Sequence, residues 1–188
     1  MKKANLLLLL AGLIFITHGA RATSVIPPTF DQLVADAEVI FQGSVTEVKS
    51  QWAGEGGQRH IVSYVTFKVE DALKGNPGET YTIRMLGGTV DGESMGVSDA
   101  PTFNVGDKQI LFVENNGSQF IPLVGIMYGQ FRVQPDESGK EIVTSNDGHP
   151  IKNVARLGKE DANAPSAEPN LTAADFKAAI QKKIQAAH

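Results

Sequence analysis

Hydrophobic and polar positions alternate with a period of two along most of this chain, and the period lengthens only near its two ends. Residues 64–70 show the alternation most clearly: Val65, Phe67 and Val69 point one way, Thr66, Lys68 and Glu70 the other. That pattern predicts a strand with one buried and one wet face. Residues 80–86 repeat it, setting Tyr81, Ile83 and Met85 against Thr80, Thr82 and Arg84. An earlier strand opens at Val39 and runs to about residue 49, with Gly43 marking a bulge or sharp bend. Residues 109–113, 120–126, 129–133 and 142–144 complete the predicted strands, separated by Gly-, Asn- and Asp-rich turns. Val65, Phe67, Val69, Tyr81, Ile83, Leu111 and Phe112 are the predicted core.

Two stretches keep a helical period. Thr29 with Gln32 three positions on forms a capping box, which predicts a short helix over residues 30–37. Thr172 caps a second helix whose stripe is Ala173, Phe176, Ile180 and Ile184, a face suited to packing back on the sheet. Residues 158–170 carry no periodic apolar signal and are predicted to be a flexible linker. The expected organisation is a leader over 1–22, a β domain over 23–157, the linker, and a helix over 171–188. A chain cut after Arg156 is expected, on this reading, to keep its fold. The class is all-β with minor α: a small closed or sandwiched antiparallel sheet.

Composition sharpens the picture at the N-terminus. Lys2 and Lys3 precede an apolar run over residues 6–17, and Ala20-Arg21-Ala22 supplies a small-x-small cleavage pattern. This predicts a signal peptide cut after Ala22 and an exported protein, periplasmic or extracellular. Left uncleaved, the same segment would be a membrane anchor; after cleavage no membrane association is expected. Loss of residues 1–22 removes three positive charges and no acid, taking the net charge from −4 to −7. An acidic chain of this kind argues against nucleic acid as a partner. Cysteine is absent, so the core must hold without disulfides, and thiolate zinc sites are excluded.

The order of elements then becomes informative. An extended Pro27-Pro28 segment, a short helix, "ADAEVIFQGSVTEV" and "YVTFKVEDALKGNPGETYTI" together resemble the netrin-like modules and the N-terminal domain of tissue inhibitors of metalloproteinases. In that group the first strand follows an Ala/Ser-Asp step, matched at Ala35-Asp36, and a Lys-Gly turn joins the second and third strands, matched at Lys74-Gly75. The chain is also similar to a set of secreted bacterial proteins without an assigned function that share "IPPTF", "LGGTV" and a "GQFRV"-type strand. The resemblance covers roughly residues 23–133 and implies a five-stranded OB-fold-like barrel. It further implies that the amine and carbonyl of residue 23 chelate a protease zinc. The inhibitors carry a disulfide-anchored Cys there; this chain has Thr23.

The candidate partner-binding residues are accordingly Thr23, Ser24, Pro27 and Pro28, with Gly87, Gly88 and Thr89 from the Gly-rich segment 87–106. The prolines either present a stiff ridge to a partner or merely guide the chain into the first strand. Gly92-Glu93-Ser94-Met95-Gly96 matches G-x-S-x-G, but a nucleophile elbow needs a strand before Ser94 and a helix after it, and Pro101 follows instead. His60 and His149 belong to no ligand-spaced cluster; Asp91, Glu93 and Asp99 could gather a calcium ion, but their spacing fits no EF-hand and a solvated acidic loop is the favoured reading. No cofactor and no metal is expected. The leading expectation is a non-enzymatic exported binding module whose partner is a protein, a secreted metalloprotease among the candidates. Its alternatives are an envelope- or carbohydrate-binding protein of the same fold and a hydrolase using Ser94.

Overall fold

A computed structural model of the chain describes residues 26–98, 100–159, 162 and 167–187. The first helix, α1 (Phe30–Asp36), starts where the capping box predicts: Thr29 Oγ1 accepts the Gln32 N–H at 3.3 Å, and Gln32 Oε1 accepts the Thr29 N–H at 2.9 Å. It buries Phe30, Leu33 and Val34, one face of a single helical stretch.

The strands are β1 (Val39–Ala53), β2 (His60–Lys74), β3 (Thr80–Leu86), β4 (Gly88–Val90), β5 (Glu93–Met95), β6 (Lys108–Val113), β7 (Gln130–Pro135) and β8 (Glu141–Ser145). Six of them form one sheet in the order β3-β2-β1-β6-β7-β8, antiparallel at every step, while β4 and β5 pair as a separate hairpin. The molecule is thus mostly antiparallel sheet with two helices, the second being α2 (Ala173–Ala186). In ladder order β3 and β8 are the outer strands. One backbone bond leaves the β3 rim, from Leu86 N–H to the Phe120 carbonyl at 2.7 Å. The β8 rim is covered by short bridges to Pro150 and Thr172. Gly43 sits at a register shift between β1 and β2, as the sequence predicts.

β1 and β2 run further than their alternation suggests, because each supports the other to the tip of a long ribbon. A 3₁₀ turn at Gly56–Gln58 closes that ribbon, and the Arg59 guanidinium lies 4.0 Å from the ring centroid of Trp52. In β6 the run Ile110, Leu111, Phe112, Val113 is continuous because both faces of the sheet are buried there. Ile110 and Phe112 face the helices; Leu111 and Val113 face a second core with Phe41, Val65, Phe67, Ile83 and Met85. Val69 and Tyr81, also predicted as core, are partly buried at its margin.

One predicted strand is absent. Residues 120–126 form turns, joined to the sheet by the bridge of Val113 to Leu123 and by backbone bonds from Leu86 N–H to the Phe120 carbonyl and from Val124 N–H to the Phe112 carbonyl. Gly125 and Ile126 have φ of 62° and 65°, which breaks an extended run, and Pro122 has no N–H to donate. The apolar residues plug the core instead: Ile121 and Leu123 enter the second cluster, Val124 the first.

α2 is capped as expected, Thr172 Oγ1 accepting the Asp175 N–H at 3.0 Å, and it packs back on the sheet. Phe176 is fully buried, its ring centroid 4.8 Å from that of Phe131, 5.9 Å from Phe30 and 6.2 Å from Phe112. Lys177 pairs with Asp71 at 2.8 Å and Lys183 with Asp31 at 2.6 Å, tying the helix to β2 and α1. The helix is therefore part of the main core, which removes the basis for expecting a chain cut at Arg156 to keep its fold.

Beside α2 lies a polar cluster on the sheet. Ser44 Oγ donates to Glu70 Oε1 at 2.6 Å and Gln42 Nε2 to Glu70 Oε2 at 2.8 Å, while Lys108 Nζ stands 3.8 Å from the same carboxylate. Burial pushes the Glu70 carboxyl up, but the bonds from Ser44 and Gln42 and the charges of Lys108 and Lys177 together outweigh it and hold the group below its ordinary value. A depressed carboxyl contributes stability above its unfolded-state pKa and loses that contribution as pH falls through the folded value. Glu70→Gln is therefore expected to be destabilising near pH 7 and close to neutral in strong acid. The group is partly solvated, so the difference should stay within about 1 kcal/mol. Urea denaturation of both proteins across the acid limb measures it, and a difference independent of pH would remove Glu70 as the cause.

Candidate functional site

Four of the candidate residues, Pro27, Pro28, Gly87 and Gly88, line two separate cavities that share no residue. Thr23 and Ser24 lie outside the described residues. Pro27 and Pro28 form one wall of a cavity of about 260 Å³. Its floor is apolar, made by Leu33, Phe131, Ile151 and Leu157, and its rim carries Tyr128, Ser145, Asn146, Asp147 and Lys159. The wall is seated firmly: a β-carbon at Gly158 would lie 2.6 Å from the Pro28 carbonyl oxygen, and φ at Gly158 is 74°, so only glycine fits there. Residues 145–149 make a local turn in which Ser145 Oγ donates to Asp147 Oδ1, with His149 Nε2 3.7 Å from Asp147 Oδ2. Ser, Asp and His thus meet, but in the wrong order for an acyl-transfer triad. The serine donates to the carboxylate, and the imidazole never reaches the hydroxyl.

Gly87 and Gly88 line the second cavity, about 290 Å³, between the ribbon and the β4–β5 hairpin. Its walls are Val48, Val65, Met85, Met95, Val97 and Phe103. Gly88, at φ 136°, is wedged over the ribbon against the hydroxyls of Ser50 and Ser63. Those hydroxyls bond each other at 2.8 Å, and Ser63 Oγ donates to the Gly87 carbonyl at 2.7 Å. Gly88→Ala must push a methyl into both serines from a backbone that disfavours it. A cost of about 1–3 kcal/mol from overpacking is expected, with backbone strain in addition. Thermal unfolding tests this, and an unchanged melting temperature would mean the hairpin lifts off freely.

Thr89 is the most peripheral of the candidates, facing Ser94 across the hairpin at 2.9 Å between hydroxyls. Ser94 therefore occupies an exposed hairpin strand and not a strand-to-helix elbow. Among the described residues, no three of His, Cys, Asp and Glu gather at a spacing that would hold a metal ion, and no helix is long and apolar enough to cross a membrane.

Sequence reasoning missed the parts that build the walls. In "GQFRV" the sequence marks a strand and leaves its polar residues unassigned. In the structure Gln130 Nε2 donates to the Thr102 carbonyl at 3.0 Å and to Gln109 Oε1 at 2.9 Å, and Arg132 Nη2 donates to Thr102 Oγ1 at 3.2 Å. These bonds hold the irregular segment that carries Pro101, Thr102 and Phe103 across the sheet, making it a wall of the second cavity. Tyr128, Asn146 and Asp147 join the first cavity through turns that lie far from Pro27 in sequence. No protein-family model matches the chain, and a search of curated proteins finds no significant match.

Proposed function

We propose that the protein is an exported, non-enzymatic binding module that grips a protein or glycan partner at the Pro27–Pro28 cavity. The observation that carries this reading is the cavity itself: a proline wall whose φ angles are already fixed, an apolar floor, and a rim of Tyr128, Asn146 and Asp147. Its volume of about 260 Å³ falls just below the usual small-molecule range of about 300–1,000 Å³. It suits one side chain or one sugar ring of a larger partner. The same reading takes the six-stranded sheet as a relative of the OB barrel, a fold that binds extended ligands on its face.

The test is titration calorimetry against a panel of secreted zinc proteases and envelope glycans. A partner of this site should bind Tyr128→Ala at least tenfold more weakly than the wild type and bind Thr89→Ala equally well. Equal binding to Tyr128→Ala would exclude this cavity.

Metalloprotease inhibition is a second reading, favoured by the exposure of Ile26, at 84%, where the described chain emerges beside the proline wall. In this reading the Thr23 amine and carbonyl displace the water on a protease zinc, and Ser24 faces the specificity pocket. Two proteins decide it, one beginning at Thr23 and one with an extra Ala before it. Inhibition by the first alone supports chelation; inhibition by both or neither removes it.

A further inference from the structure

We propose that this chain pairs with a second copy of itself along the outer edge of β1, with a twofold axis at Ser50. β6 covers β1 only from Val39 to Ser44, and the turn at Gly106–Asp107 covers Val45 through two backbone bonds of 2.8 and 2.9 Å. From Thr46 to Ala53 the ladder runs to β2 alone, and among the described residues no other backbone bond reaches that edge.

The direction of the free groups follows from the register. Ile61 turns its carbonyl away from β1, to the Gly87 N–H at 2.8 Å. In an antiparallel pair two opposed residues either both face each other or both face away, so Trp52, opposite Ile61, points its N–H and C=O away from β2. The register is unbroken from Val48 to Ala53, so Ser50 and Val48 point the same way, and Lys49 and Gln51 point inward. An edge with free groups at alternate residues is a template for one more strand.

The shape of the edge selects the occupant and the register. A twofold at Ser50 pairs Glu47 with Ala53 of the other copy and uses the whole free length. Centring nearer Val48 would drive the second strand into the Gly106–Asp107 turn; centring nearer Trp52 would leave Val48 uncovered. At Ser50 the arrangement is isologous and places Trp52 of each copy against Val48 of the other. Val48 and Val97 are each 40% exposed and line the same cavity, so the incoming indole covers an apolar patch that a lone copy leaves wet. Lys49 falls opposite Gln51, which avoids a directly opposed like-charge pair. This pairing is independent of the Pro27–Pro28 cavity.

Amide hydrogen exchange on the intact purified chain, read residue by residue over a hundredfold range of concentration beside light-scattering mass, tests the pairing. The amides of Val48, Ser50 and Trp52 should exchange more slowly as concentration rises and the mass doubles. Those of Lys49 and Gln51, already bonded to β2, should not respond. Protection of the three amides that persists unchanged on dilution would overturn the proposal, because a segment of the same chain would then cover the edge. Fast exchange at every concentration would overturn it too, leaving the edge to solvent or to a foreign strand. Val48→Lys should weaken dimerisation at least tenfold, with the melting temperature of the dilute monomer recorded beside it to separate lost pairing from lost fold; a folded variant that dimerises as the wild type does would also overturn the pairing.

Discussion

A chain cut after Arg156 is expected to lose cooperative unfolding altogether. The cut removes Phe176 and Ile180, both fully buried among Phe30, Phe112 and Phe131. Truncating a buried Phe to Ala costs about 3–5 kcal/mol and a buried Ile about 2–5 kcal/mol, against a total stability of about 5–15 kcal/mol for a domain of this kind. Losing both together with the helix that carries them consumes most or all of that margin. Phe176→Ala alone should weaken the fold by about 3–5 kcal/mol and leave a single transition. Calorimetry on the cut chain and the point variant measures both. A cut chain melting in one sharp transition near the intact temperature would show that α2 only leans on a finished core.

Phe67→Ala should be nearly as damaging, at about 3–5 kcal/mol, whereas its neighbour Lys68→Ala should cost about 0.5 kcal/mol or less. Phe67 is fully buried, with edge-on contacts to Phe41 at 5.5 Å and Phe103 at 5.6 Å between ring centroids. Lys68 is on the opposite face of β2 and exposed. Phe103 belongs to the segment that walls the Gly87–Gly88 cavity, so the same variant should also loosen that wall. Urea midpoints at constant slope separate the two sites. Equal sensitivity at residues 67 and 68 would mean the strand faces are not those seen here.

How much of this was legible in the sequence depends on where each residue finds its partner. Thr29 and Gln32 cap a helix from three positions apart, and Thr172 caps α2 through Asp175 at the same distance, so both helix starts could be read directly. Val65, Phe67 and Ile83 follow strict alternation because one face of β2 and β3 meets the core and the other meets water. Residues 120–126 misled because apolarity reports burial and not conformation; the backbone reversal at Gly125 and Ile126 has no hydrophobic signature. The roles of Gln130 and Arg132 could not be read for the complementary reason, since their face is covered by a segment with no period of its own. Pro27 and Gly87 could be singled out as candidates, but the cavity around Pro27 needs Tyr128, Asn146 and Leu157, which only the fold brings beside it.

The burial of Phe176 also bears on the order in which the molecule can come into being. During synthesis from the N-terminus, the helical side of the sheet lacks its central ring until α2 has emerged. Up to that moment Phe30, Phe112 and Phe131 lack the aromatic partner they share in the finished fold. The helical side of this core can therefore close only after residues 173–186 have been made.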